Sequence, residues 1–145
     1  MSSTYNSVET WKEFEANELT HSAAHHLLAI DEVGAEYGGW ARVSDIAKDL
    51  AITRGSVSIN LRTLKKRGLI VTDEHRMVKL TPKGLEIVHH VKLKKAAFKT
   101  FLTDVLGVSV AQAEIDSCKI EHLISHETSD RLAHFMENYK PAKLR

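Results

Sequence analysis

Two short helical segments around a tight turn, followed at once by a β-hairpin, constrain this 145-residue chain more than any other feature. Ser44 stands as a cap before Ile46, Ala47 and Leu50, which line one side of a helix, and the chain then turns at Ala51 and Ile52. Thr53 caps a second helix over residues 54–67, with Val57, Leu61 and Leu64 on one face and Gly68 at its end. Residues 69–72 and 77–80 are β-rich runs around the polar turn Asp73-Glu74-His75-Arg76. That order predicts a winged helix-turn-helix.

The flanks are helical. Leu19, Ala23, Leu27 and Ile30 recur at intervals that put them on one helix face, and Trp11 and Phe14 continue the spacing upstream. The glycine-containing stretch 34–39 is a loop, and residues 40–43 suit a short strand. After the hairpin, Thr81-Pro82 opens a helix whose apolar side holds Ile87, Val91, Phe98, Phe101, Leu102 and Val105. Ser109 and Gln112 form a capping box for the next helix, and Ser125 caps a last one with Leu132, Phe135, Met136 and Tyr139 on its apolar side. The fold class is therefore mainly α: an N-terminal winged helix-turn-helix with a helical extension over residues 1–81, then an α-helical dimerisation domain over 82–145. The apolar sides of the later helices exceed what one chain of this size covers, which predicts a homodimer. No apolar run approaches the ~18 residues that span a bilayer, and the polar, acidic N-terminus has no export core. The single cysteine, Cys118, has no internal disulfide partner, which suits the reducing cytoplasm.

Charge is unevenly placed. The whole chain has a net charge of only +1, yet residues 41–100 carry 14 basic and 5 acidic residues. The second helix of the helix-turn-helix holds much of this excess and no acid. With Val57, Leu61 and Leu64 turned inward, it presents Gly55, Ser58, Ile59, Arg62 and Lys66 outward. Small residues at its start admit close approach to the major groove of double-stranded DNA, and the hydroxyls of Thr53, Ser56 and Ser58 bond phosphates or base edges. Arg54 and Arg62 are candidate phosphate or base contacts, Ile59 matches a thymine methyl, and Arg76 of the wing reaches the flanking backbone.

Nine histidines are the second oddity. Cys118, Glu121 and His122 stand at i, i+3 and i+4 of one helix, so a thiolate, a carboxylate and an imidazole share a side and form a competent set for a divalent metal. Spacing alone favours a buried cysteine beside a surface Glu-His pair over a metal set. An enzyme is excluded: His122 and His126 have the spacing of a helical zinc pair, but Leu123 occupies the place where a peptidase needs Glu. No catalytic serine arrangement or phosphate-binding glycine loop occurs. A winged-helix regulator that senses an organic ligand or redox state through Cys118 is the alternative to a metal sensor.

The chain resembles the diphtheria-toxin-repressor family of metal-dependent regulators, in the short two-domain form of the manganese transport regulators. The resemblance covers nearly all of residues 19–139 and is carried by ARVSDIAKDLAITRGSVSINLRTLKKRGLI, LTPKG at 80–84, FLTDVLGV at 101–108 and above all CKIEH at 118–122. It implies a dimeric repressor of metal-ion homeostasis genes, bound to an operator, in which Cys118, Glu121 and His122 hold a divalent transition metal. Fe²⁺ is favoured by the thiolate, with Mn²⁺ or Zn²⁺ as alternatives. The family's two ligand positions on the first helix fall on Ser22 and His25; His25 is a good ligand, Ser22 a poor one, and His21 is a substitute on the same face as His25. Lys95 and Lys99 stand where the family commonly places a second set of ligands, which implies one metal per protomer, with Lys95 pairing with an acid instead. Glu114 is expected to be a solvated acid or an outer carboxylate, and His89 and His90 to be partly exposed polar residues.

Overall fold

A computed structural model describes residues 19–121 and 123–140. Thr20 opens helix α1 (His21–Gly34), its hydroxyl accepting from the Ala23 N–H at 3.1 Å. The expected apolar face is observed, with Ala23, Leu27 and Ile30 buried. The expected strand at 40–43 shrinks to a single bridge in which Ala41 and Val78 exchange backbone hydrogen bonds, each 2.8 Å long. That bridge holds Arg42 extended, so α2 (Val43–Leu50) begins one residue after it. Arg42, not Ser44, is the cap, and Ser44 lies inside the first turn.

The turn between α2 and α3 rests on Ala51, which adopts a left-handed φ of 54° while Ile52 N–H returns to the Ala47 carbonyl at 3.0 Å. A non-glycine residue in that region costs roughly 1–2 kcal/mol, which the packed helices on either side offset. Helix α3 (Arg54–Lys66) is capped by Thr53, as expected, through a 3.1 Å bond from the Ser56 N–H. Gly68 leaves it at φ +74°, and strands β1 (Ile70–Thr72) and β2 (Val78–Leu80) pair antiparallel, with Val71 opposite Lys79. Thr81 caps α4 (Pro82–Thr100), with Pro82 in its first turn. Gly84 is required there: a Cβ would lie 2.2 Å from the Leu69 carbonyl oxygen.

Helix α4 does not run unbroken to Gly107. A π-helical turn occupies Phe101–Val105, beside the Thr100 and Thr103 hydroxyls, which donate to carbonyls one turn back. Helices α5 (Val110–Glu121) and α6 (His126–Asn138) follow, with Gln112 N–H bonded to Ser109 Oγ and Thr128 N–H to Ser125 Oγ, both at 3.2 Å. Leu27, Ile30, Ile46, Val57, Leu64, Leu69, Ile70 and Val78 form the centre of one core, and Val88 of α4 joins it. Burying each such side chain stabilises by about 1.5–3 kcal/mol. A 2.6 Å ion pair from Lys92 to Asp31 adds a polar tie between α4 and α1. The apolar side foreseen on α6 is only partly covered within the protomer: Leu132, Met136 and Tyr139 are half-buried, Phe135 is exposed, and Ser129 is the helix's buried residue. Trp11 and Phe14 lie outside the described residues. No described helix is long and apolar enough to cross a membrane.

Candidate metal centre and nucleic-acid interface

The two ends of the candidate metal centre are 93 residues apart in sequence and meet in space. Helix α1 carries His21 and His25 one turn apart, with ring centroids separated by 4.3 Å. Helix α5 brings Cys118 against them, its Sγ lying 3.4 Å from His25 Nε2. One ligand atom from each of His21, His25 and Cys118 lies within 4.8 Å of the others. An imidazole pair and a thiol converging at that distance fit a divalent transition metal of intermediate softness. Glu121 lies one turn beyond Cys118 on α5 and is buried, 6% exposed, although its carboxylate is not among the clustered atoms. His122 lies outside the described residues. Ser22 Oγ is engaged elsewhere, donating to Asn60 Oδ1 at 3.3 Å.

Electrostatics leave the His25 ring ready to ligate, whereas Cys118 and Glu121 give up a proton to do so. Burial, followed by the neighbouring His21 and Lys95, lowers the pKa of His25, so its imidazole is neutral at physiological pH. Burial raises the Cys118 thiol, against the pull of Lys95. Glu121 is pushed up to about 7, with burial the main cause and Lys95 and Lys94 opposing it.

Lys95 and Lys99 do not point at the cluster as free cations. Both grip Glu114, at 2.6 and 2.8 Å, across the α4–α5 contact. Their hydrogen bonds hold the Glu114 carboxyl down at about 2, and the bond to Glu114 is the main reason the Lys95 ammonium titrates higher than usual. Glu114 is thus an exposed acid, as expected, but one gripped by two ammonium groups and not placed among the clustered ligand atoms, and the expected pairing of Lys95 with an acid is realised. His89 and His90 are exposed, with His90 3.9 Å from Glu86.

In the helix-turn-helix, α3 buries Val57, Leu61 and Leu64 and exposes Arg54, Gly55, Ser56, Ser58, Ile59 and Arg62. Ile59 is 64% exposed, a large apolar side chain turned mostly to solvent in the protomer. A Cβ on Gly55 would meet only Thr53 Oγ1, at 3.9 Å, so nothing inside the protein demands glycine there. Lys65 is held sideways by Thr72 of the wing at 2.9 Å. Arg76, at φ +62°, is exposed in the wing turn, which Asp73 braces through bonds from the His75 and Met77 N–H groups of 2.9 and 2.8 Å.

Asn60 was not recognisable as a functional position from the sequence. It lies beside the inward residues Val57 and Leu61, and only the packing of α1 on α3 gives it a partner on the metal-bearing helix.

Comparison with known proteins agrees with both halves of the molecule. Residues 81–142 match the family model of the iron dependent repressor metal binding and dimerisation domain. The chain is 33% identical over 110 residues to the HTH-type transcriptional regulator MntR of Listeria welshimeri, covering 74% of this chain and 77% of that one. A hypothetical protein of Sulfolobus solfataricus has a similar structure, with a TM-score of 0.70 and 24% identity over 83% of this chain and 92% of its own. IdeR of T. acidophilum aligns with a TM-score of 0.63 and 23% identity over 79% of this chain, which spans about half (53%) of that longer protein.

Proposed function

This chain belongs to the diphtheria-toxin-repressor family of metal-dependent transcriptional regulators, and from that premise we propose that it is a cytoplasmic repressor of metal-ion homeostasis genes, not an enzyme, whose hold on its operator is set by one divalent cation per protomer. The observation that carries this reading is the 3.4 Å approach of His25, on the first helix of the DNA-binding domain, to Cys118 of the helical domain. His25, Cys118, Glu121 and His122 would hold the ion, with His21 completing the set. Ser22 is left out of it because its hydroxyl is engaged by Asn60.

A divalent cation supplies a Lewis-acid centre to which imidazole, thiolate and carboxylate donors from both domains bind at one point. His25 offers a neutral ring, while Cys118 and Glu121, both shifted upward by burial, release protons as they ligate, so ion binding strengthens as pH rises. The thiolate favours Fe²⁺, with Mn²⁺ and Zn²⁺ as alternatives. The raised thiol pKa speaks against Cys118 as a redox sensor, since a reactive cysteine needs the opposite shift. The clamp of Lys95 and Lys99 on Glu114 supports a single ion, because two ammonium groups already neutralise the neighbouring carboxylate.

Leu106, Val110 and Phe135, all exposed in the protomer, support burial against a second copy. Such a homodimer would present two α3 helices to successive major grooves of double-stranded DNA, with Thr53, Arg54, Gly55, Ser56, Ser58, Ile59 and Arg62 at each and Arg76 beside the backbone. Anaerobic calorimetry with Fe²⁺ on the wild type and on His25→Ala tests the ion site. One tight ion per protomer and a loss of about 100-fold or more in the variant are expected. Two tight ions per wild-type chain would overturn the single-ion reading, and unchanged affinity in the variant would remove His25 from the site.

A further inference from the structure

We propose that Ser22 and Asn60 form the mechanical link between the ion site and the DNA-reading helix, so that both are positioning residues of the switch; this rests on the metal-regulator reading above. The first turn of α1 does two things at once. His21 and, one turn on, His25 face Cys118, while Ser22 between them projects toward α3 and donates to Asn60 Oδ1 at 3.3 Å. Asn60 is fixed at its other end, its Nδ2 donating to the Ser56 carbonyl at 3.0 Å. Ser56 belongs to the turn that Thr53 caps, through a 3.1 Å bond from its N–H and a 3.0 Å bond to its hydroxyl. A continuous run of hydrogen bonds therefore leads from the residue between the candidate ligands to the exposed N-terminal turn of α3.

The start of the run is also anchored. The Ser22 carbonyl accepts a 2.6 Å bond from Nδ1 of His26, a side chain only 2% exposed and packed in the interior. Ser22 is thus held by its backbone to the core and by its hydroxyl to α3, and any restraint placed on the His21–His25 face acts on both bonds. The arrangement also explains why serine stands on this face of α1. A carboxylate or imidazole there would be drawn toward the ion, whereas a short hydroxyl reaches Asn60 across the packed α1–α3 contact. Coupling between sites requires an element that both bias, and this turn is contacted from both sides.

The test uses the full-length chain, Co²⁺ as the probe ion, and a duplex enriched from a random-sequence pool on the cobalt-loaded wild type. Ser22→Ala and Asn60→Ala should bind Co²⁺ within about twofold of the wild type. The ratio of duplex affinities with Co²⁺ and with chelator should fall about fivefold in each, the change expected from removing one neutral hydrogen bond. The double variant should fall no further, and Ser22→Thr, which keeps the hydroxyl, should retain the wild-type ratio. A purely structural role would lower both duplex affinities together and leave the ratio intact, which would overturn the link. Weakened Co²⁺ binding in Ser22→Ala would overturn it too, by making Ser22 a ligand. Hydrogen exchange separates this inference from the regulator reading, because it needs no DNA: Co²⁺ should slow exchange of the first-turn amides of α3 in the wild type and not in Ser22→Ala. A wild type with no ratio but with that cobalt protection would fail the regulator reading alone, and cobalt protection retained in Ser22→Ala would overturn the link.

Discussion

Replacing Glu121 by glutamine should make the metal-free protein more stable and the metal-bound protein less so. The side chain is 6% exposed, and burial lifts its carboxyl from 4.5 to about 7. A tenfold change in proton affinity on folding corresponds to about 1.4 kcal/mol, so the ionised side chain costs the metal-free fold about 3 kcal/mol at most. The folded-state value lies above the unfolded one. The group's contribution is therefore fully present below pH 4.5 and is lost as pH rises toward 7. Glutamine has nearly the same shape and carries no charge at any pH. In chelator, Glu121→Gln should match the wild type at about pH 4.5 and exceed it by about 1–3 kcal/mol at about pH 8. In saturating metal the order should reverse, because the wild type gains RT ln(1 + [L]/Kd) and the variant has lost a donor. Urea unfolding followed by circular dichroism, at one protomer concentration throughout, measures both. A variant less stable than the wild type in chelator at the higher pH would show that the ionised carboxylate is a structural asset of the empty site, and the reasoning would fall.

Arg62→Ala should reduce the slope of log affinity against log salt by about 0.9, one phosphate contact, so that its loss between about 50 and 200 mM salt is about threefold smaller than the wild type's. An unchanged slope would mean that Arg62 touches a base or nothing. Glu114, clamped by Lys95 and Lys99, should titrate in a carboxyl NMR experiment near 2, with its contribution present above pH 4.5 and lost below it. Lys95→Met should raise that midpoint, and a midpoint near 4.5 in the wild type would mean that the clamp does not persist in solution.

Local chemistry was the legible part of this chain. Thr53, Thr81-Pro82 and Ser125 cap helices where expected because a cap needs only a side-chain oxygen and an N–H three residues on. Ser44 has the same chemistry and does not cap, since the Ala41–Val78 bridge, formed between residues far apart in sequence, sets where α2 begins. The π-helical turn at Phe101–Val105 was likewise hidden, because its side-chain bonds compete with an α-helix that the apolar spacing alone continues. At the candidate site, the thiol, carboxylate and imidazole of residues 118–122 were visible as a spacing, and the resemblance supplied the first-helix half. Helical spacing also put His21 on the face of His25 as a substitute ligand, but it did not reveal that the Ser22 hydroxyl reaches Asn60. That contact depends on how α1 lies between α3 and α5, which is a matter of tertiary packing. The same holds for Glu114, whose partners sit on another helix.

The central claim is that ion binding and DNA binding are coupled, and anaerobic fluorescence anisotropy with an enriched operator duplex tests it most directly. Affinity is measured across an Fe²⁺ titration and again in excess chelator, and the Fe²⁺ affinity is measured with and without the duplex. The account predicts that Fe²⁺ changes duplex affinity by about 5–150-fold and that the duplex changes Fe²⁺ affinity by the same factor. Equal duplex affinity in Fe²⁺ and in chelator would contradict it.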